Sequence, residues 1–285
     1  MATLSPDSDE AKRIDAALQD WRQGDLALEE SWFVHVGDPG APLTDAAAEA
    51  ADGDLQALTS EVRGLIVVTQ TCDIVRACVD RPYVEIAPLV QVSEDDLQMV
   101  KRGRRPAYAT LPGLEPDCLV ADLDRVMTVE KSIVASWKRT PGYLDDAAGR
   151  GFAQALARKR VRFAFPDDFT SLVDKLQRRL VEKHDKDSVE GRGLRALRDI
   201  RVRAAPSWDA AEVEILFWFV REEEEIIFEG KSWPDLLNSW LKLVPASGRF
   251  KAVDGQVVVL EDMTARDYVE SDPLDLDHLS TSAKA

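Results

Sequence analysis

The sequence lacks the features that would assign it to several common classes of enzyme or to the membrane proteins. It contains no GxxxxGK[ST] phosphate loop, no GxGxxG after a strand and no GxSxG turn. These absences disfavour nucleotide-dependent phosphoryl transfer, dinucleotide redox chemistry and α/β-hydrolase chemistry. No apolar run approaches the roughly 20 residues that span a bilayer, and the acidic N-terminus is unlike a signal peptide. We therefore expect a cytoplasmic protein that makes no contact with a membrane.

Residues that bind metals or form disulfides are also scarce. The three cysteines, Cys72, Cys78 and Cys118, form no CxxC pair, which indicates neither a disulfide framework nor a zinc ribbon. The acidic tail SDPLDLDHLS (271–280) carries one of the three histidines, but its spacing matches neither an EF-hand nor HExxH. Its alternating leucines favour a tail that docks on the protein. The sequence thus predicts no metal and no cofactor.

Acidic residues are abundant, and their distribution along the chain is uneven. The formal net charge is −16, from 36 Lys and Arg against 52 Asp and Glu. Residues 150–203 reverse the trend with 15 bases and 8 acids. The acidic surface favours a protein partner, whereas Lys101–Arg105 and Arg158–Arg162 are candidate RNA contacts. Solvated helix faces explain the same basic residues, and the sequence does not indicate an oligomeric state.

The pattern of apolar residues predicts two domains with different architectures. Residues 1–23 predict a helix, and residues 24–140 predict six or seven short strands separated by turns, which is typical of a small β-barrel. Residues 37–60 read as an acidic excursion between strands. From 141 to 285 the order is two helices, then β, β, α, β, β, which predicts an α+β domain. Within it, Asp254-Gly255 predicts a hairpin turn.

The central stretch, residues 63–90, contains the candidate site residues. A buried strand, Leu65–Val68, runs directly into a polar corner. Alternation along an extended chain predicts that Thr69 and Thr71 share one face, where they suit binding or a sheet-edge hydrogen bond equally. The corner also offers Cys72, either as a nucleophile assisted by Arg76 or as a small buried thiol beside a turn. The candidate residues are Arg63, Thr69, Thr71, Cys72 and Asp73.

Five short pieces of residues 24–137 resemble the MazF/PemK-like toxins. They are Gly24-Asp25, RGLIVVT (63–69), VEIAP (84–88), LPG (111–113) and VADLDRV (120–126). The resemblance implies an SH3-like barrel and a bacterial toxin–antitoxin or phage-defence setting. It also implies RNA cleavage by an arginine, matched here by Arg63, and a threonine just after the second strand's proline.

The position after Pro88 departs from that pattern. Leu89 and Val90 stand there, and neither has a hydroxyl. Three hypotheses follow. The favoured one is a catalytically degenerate MazF/PemK-like module that binds a protein. The alternatives are an active endoribonuclease, in which Thr69 or Thr71 supplies the hydroxyl, and a cysteine-dependent enzyme built on Cys72.

Overall fold

The computed structural model describes residues 4–50, 54–101, 105–161, 163–221 and 230–274. The chain divides into two compact units, Met1–Val161 and Arg162–Ala285, each with its own core. Both units mix helices and strands. In the part of the chain that is described, no helix has the length and apolar character needed to cross a bilayer.

The first unit contains six α-helices, one 3-10 helix (Pro112–Asp117) and eight strands among its described residues. The helices are α1 (Asp9–Leu18), α2 (Asp45–Ala48), α3 (Thr71–Ile74), α4 (Glu94–Lys101), α5 (Lys131–Val134) and α6 (Asp146–Arg160). The strands are β1 (Leu26–Ala27), β2 (Trp32–Gly37), β3 (Gln56–Glu61), β4 (Leu65–Val67), β5 (Tyr83–Gln91), β6 (Tyr108–Ala109), β7 (Leu119–Asp122) and β8 (Met127–Glu130).

Strand β5 is the centre of the main sheet, whose order is β1-β4-β5-β7-β6 with β8 also paired to β5. All of these pairs are antiparallel. Its middle residues, Ile86, Ala87 and Leu89, are fully buried, as their continuous apolar run requires. The predicted mixture of short strands is present, but the described strands form an open sheet and do not close into the predicted barrel.

The boundary between the units lies at Val161/Arg162 and not near residue 140 as the sequence suggested. Helix α6 buries Phe152 and Leu156 against Leu26 and Ile66 in the first unit's core. The Pro141-Gly142 pair, beyond which the sequence pattern changes to helix, packs within this unit, since a Cβ on Gly142 would lie 1.9 Å from the carbonyl oxygen of Gly24. The glycine therefore permits two backbone segments of the first unit to cross in contact.

The acidic excursion between strands proves to be structured. Strands β2 and β3 pair antiparallel as a separate two-stranded sheet, with Val36 opposite Ala57. Thr44 caps the single helical turn α2 by accepting a hydrogen bond from the Ala47 backbone N–H. We call residues 32–61 the acidic hairpin. The apolar pattern of the sequence does not predict strand β3, because Leu58 is the one buried residue along its length.

The second unit combines helices with strands. Its helices are α7 (Asp167–His184), α8 (Val189–Arg195), α9 (Trp233–Leu241) and α10 (Ala265–Val269), and its strands are β9 (Leu197–Ala205), β10 (Val213–Arg221), β11 (Phe250–Val259) and β12 (Asp272–Pro273). The sheet order is β11-β10-β9-β12. Ser232 caps α9, where it forms a capping box with Asp235.

The predicted hairpin at Asp254-Gly255 is wrong. Strand β11 runs through this pair without turning and lies parallel to β10, with Gly255 opposite Phe217. A Cβ on Gly255 would lie 3.2 Å from the Cβ of Phe217, so the glycine serves close strand packing. The turn preference of an Asp-Gly pair is overridden by this tertiary contact.

The C-terminal segment docks on the edge of this sheet through β12. The Leu274 N–H donates to the Ile200 carbonyl oxygen at 2.8 Å, and the Leu274 side chain joins the core. Arg201 is buried and donates to the Ser271 Oγ at 2.9 Å and the Tyr268 carbonyl oxygen at 2.9 Å. Docking is thus confirmed for Leu274, while Leu276 and Leu279 lie outside the described residues.

Candidate functional site

The polar corner is a strand end followed at once by a helical turn. Strand β4 ends at Val67, and helix α3 begins at Thr71 with Gln70 as its N-cap residue. The expectation that Thr69 and Thr71 share one strand face is therefore wrong. The chain leaves the extended conformation between them, and a helical turn does not alternate its side chains.

Both threonine hydroxyls bond to the backbone of neighbouring segments. The Oγ1 of Thr69 accepts a hydrogen bond from the Glu85 N–H at 2.6 Å, which joins the corner to β5. The Oγ1 of Thr71 accepts from the Gln23 N–H at 3.1 Å, and the Gln23 side-chain amide donates to the Val68 carbonyl oxygen at 2.8 Å. These hydrogen bonds fix the corner to the neighbouring backbone segments.

Arg63 lies at the opposite end of the same strand from the corner. Its N–H donates to the Leu89 carbonyl oxygen, whereas the Thr69 N–H contacts the Glu85 carbonyl oxygen. Leu89 and Glu85 are four residues apart on β5, so at roughly 3.3 Å per residue the two ends are separated by about 13 Å. The structure therefore does not bring Arg63 and the two threonines together, and Leu89 beside Arg63 is buried and apolar.

Cys72 is exposed at the start of α3, contrary to the buried reading. Its Sγ lies 3.7 Å from the Oε1 of Gln70, an amide that does not act as a general base. Asp73 forms an exposed ion pair with Arg76 at 3.8 Å. An exposed ion pair of this kind contributes little to the stability of the fold. Among the contacts of the described residues, the Cys72 thiol has no histidine partner.

A buried lysine lies beneath the corner, and no pattern in the sequence indicates its burial. Lys131 is only 1% exposed, and its Nζ donates to the Asp73 carbonyl oxygen at 2.8 Å and the Arg76 carbonyl oxygen at 2.6 Å. Desolvation lowers its pKa, and the nearby charges of Asp15 and Cys78 act in the opposite direction. The lysine thus holds the C-terminal carbonyl groups of the α3 turn.

Cys78 belongs to the same buried cluster. Its N–H donates to the Asp15 Oδ1 at 2.7 Å, which ties the segment after α3 to helix α1. Burial is the main cause that raises the pKa of its thiol, and the hydrogen bond and charge of Asp15 add to it. No spacing signal in the sequence brings residues 15, 78 and 131 together, because each comes from a separate element.

An open cleft of about 750 Å³ adjoins the corner. Its lining includes apolar groups from α6 and from the end of β4, among them Val68 and Leu156. At its rim the Tyr83 side chain is 60% exposed. The charged lining residues are Asp73, Asp80, Arg81, Glu85 and Arg160.

Most described cations of the two predicted RNA contacts have carboxylate partners. Lys101 pairs with Glu115 at 2.5 Å, and Arg105 pairs with Asp96 at 3.0 Å. In the second segment Lys159 pairs with Asp124, and Arg160 pairs with Glu85 at 2.6 Å. Residues 102–104 and Arg162 lie outside the described residues.

Over the described ranges, no group of three or more His, Cys, Asp or Glu side chains is placed to hold a metal ion. Asp272 instead accepts from the Trp208 Nε1 at 2.9 Å, while Asp275, Asp277 and His278 lie outside those ranges. No protein-family profile matches the chain, and no curated protein is significantly similar to it.

Proposed function

We propose that this chain is a non-enzymatic binding protein that holds a polypeptide segment in the cleft beside its polar corner. One observation carries the proposal. The corner hydroxyls of Thr69 and Thr71 already bond to the backbone, while the adjoining cleft is open and presents the exposed ring of Tyr83. An exposed aromatic side chain over an apolar floor is typical of an anchor for a protein partner.

The charges of the cleft favour a polypeptide over RNA. Three carboxylates face two guanidinium groups, and Arg160 already pairs with one of the carboxylates, that of Glu85. A nucleic-acid backbone needs an excess of cations at its binding surface. A segment that combines apolar side chains with charges of both signs matches the lining better.

The proposal includes the setting that the resemblance implies. The first unit is a catalytically degenerate MazF/PemK-like module with an SH3-like ancestry, acting in the bacterial cytoplasm within a toxin–antitoxin or phage-defence system. The separation of Arg63 from the corner supports the loss of RNA cleavage, as does the absence of a hydroxyl at Leu89 and Val90. The three unpaired thiols agree with a reducing compartment.

Panning a displayed library tests the cleft directly. Random peptides of about 12 residues, a length that fills an extended groove, are selected on the immobilised full chain, and their affinities are measured by fluorescence anisotropy. We expect Ala157→Trp, which fills the cleft, to weaken the selected peptides at least about tenfold. The matched control is Ala16→Trp, on an exposed position of α1. Peptides that bind both variants equally would contradict the proposal.

The two enzymatic alternatives have their own readouts. Cleavage of labelled single-stranded RNA by the wild-type chain, lost in Arg63→Ala, would replace the proposal with the endoribonuclease. Alkylation of Cys72 at neutral pH, far faster than expected for an ordinary exposed thiol, would favour the cysteine-dependent enzyme. We expect neither result, because the corner offers Cys72 an amide and places Arg63 at the far end of β4.

A further inference from the structure

The acidic hairpin has no cation of its own. Residues 32–61 contain six Asp and Glu and neither Lys nor Arg. Five of these carboxylates, at positions 38, 45, 49, 54 and 61, are exposed and form no ion pair with any residue in the described ranges. Among the described residues these five carboxylates have no cation partner, and they give the hairpin a negative field.

Some carboxylates elsewhere in the first unit have cation partners. Asp25 is buried and bonds to Arg139 at 2.5 Å, and Asp122 bonds to Arg125 at 2.7 Å. Even the exposed Glu29 has a lysine partner. Other exposed carboxylates of the first unit, such as Asp20, Glu94 and Asp117, also have no ion pair with a described residue, so what distinguishes the hairpin is that it combines six acidic residues with no Lys or Arg.

The same hairpin leaves part of one sheet face uncovered, while Trp32 on that face is half-buried against the core. Alternation places Phe33 and Leu58 on the inner face, where both are buried. The opposite face presents Val36 and Ala57, which lie opposite each other in the strand pairing. Val36 is 71% exposed.

Two further leucines in the connection between the strands are exposed. Leu55 is 70% exposed and immediately precedes β3, and Leu43 is 98% exposed just before the cap of α2. Large aliphatic side chains at such exposure, rimmed by charge, are typical of an interaction surface.

We propose that the outer face of the acidic hairpin docks a basic polypeptide surface in which Lys or Arg residues surround apolar side chains. Charge complementarity identifies the occupant. A second copy of this chain brings a net charge of −16 and the same acidic hairpin, so like charges oppose self-association. Nucleic acid is repelled for the same reason. This surface shares no residue with the cleft, and its test is independent of the proposed function.

A defined probe tests the inference. An amphipathic peptide built from Lys and Leu is titrated into the full chain, beside a peptide in which Ser replaces every Leu. We expect the Lys–Leu peptide to bind at least about tenfold more tightly, because only it covers the apolar face. Equal affinities would overturn the role of that face.

Neutralising variants locate the binding surface. The triple variant Glu49→Gln, Asp54→Asn, Glu61→Gln removes three hairpin charges, and we expect it to weaken the Lys–Leu peptide by about tenfold and to flatten its salt dependence. A matched triple variant at exposed carboxylates elsewhere in the first unit, Asp20→Asn, Glu94→Gln, Asp117→Asn, should change the affinity less than about twofold. Equal losses in the two triples would overturn the inference.

The apolar contribution has its own pair of variants. Leu43→Ser should weaken the Lys–Leu peptide, and Leu144→Ser, at a similarly exposed position of the same unit, should not. Sedimentation of the free chain reports self-association, and gel shift reports binding of single-stranded RNA. A dimer that the hairpin triple abolishes, or RNA binding that it abolishes, would assign the surface to a different occupant and overturn the inference.

Discussion

Replacing Lys131 by methionine is the sharpest test of how the polar corner is held. Methionine keeps the unbranched shape of the side chain but has no donor. The carbonyl oxygens of Asp73 and Arg76 then lose the Nζ that lies 2.8 and 2.6 Å away. Because Lys131 is buried, water does not readily replace the ammonium group.

The expected loss follows from two opposing contributions. Two hydrogen bonds from a charged donor contribute about 1.5 to 3 kcal/mol each. Removing a buried ammonium group relieves its desolvation, which offsets part of that loss. We expect the free energy of unfolding to fall by about 3 kcal/mol, which for a unit of this size lowers Tm by roughly 6 to 12 °C.

Urea denaturation followed by tryptophan fluorescence measures the change, since the first unit contains Trp21, Trp32 and Trp137. The matched control is Lys138→Met. Lys138 is 72% exposed and pairs with Glu29 on the surface, so its loss should cost less than about 0.5 kcal/mol. A Lys131→Met variant as stable as this control would refute the role assigned to the buried ammonium group.

The pH dependence of the free energy of unfolding gives a second comparison, between the wild type and Lys131→Met. Desolvation lowers the folded-state pKa of Lys131 below the ordinary value of 10.5. Between the two values the unfolded chain binds more protons, so the stability of the wild type rises with pH across that window. The raised pKa of Cys78 acts in the opposite direction above pH 9.0. Because the charge of Lys131 lowers that pKa, Lys131→Met raises it further and enlarges this effect in the variant. The stability difference between wild type and Lys131→Met should therefore widen toward pH 10.5.

Two further substitutions test other contacts. Thr69→Val removes the acceptor of the Glu85 N–H and should lower the free energy of unfolding, measured in urea, by about 1 to 2 kcal/mol. The control Thr59→Val, on the exposed face of β3, should change it by less than about 0.5 kcal/mol. Equal effects would contradict the role of Thr69. Arg201→Met should free the C-terminal segment and so speed amide hydrogen exchange at Leu274 at least about tenfold. Arg198→Met, on the exposed face of β9, should leave that exchange rate unchanged. Unchanged exchange in Arg201→Met would show that Arg201 does not hold the segment.

Long apolar patterns predicted their elements well. The continuous run at Leu65–Val68 is a buried strand, and the run ending at Val220 is the central strand β10 of the second sheet. Helix α9 begins after Ser232, a residue type that favours the N-cap position. In each case the local preference and the tertiary environment agree, so the sequence alone suffices.

The features that escaped prediction depend on contacts between distant residues. Asp254-Gly255 has a strong turn preference, which parallel pairing with β10 overrides. Thr71 follows a strand but begins a helix, since Lys131 holds that helix from 60 residues away in the sequence. A single lysine within an ordinary polar and apolar mixture carries no pattern that marks it as buried. The candidate corner was therefore located from the sequence, but its support and its cleft were not.

The parallel pairing of β10 and β11 also constrains the order in which the second unit assembles. Strands β9 and β10 are antiparallel and close in sequence, so they can pair as soon as their short connection turns. Strand β11 must first return to the same end of the sheet, and α9 lies on that return path and packs on β11. We therefore expect the two-stranded β9–β10 ribbon to form early, with α9 and β11 joining it later as a single step.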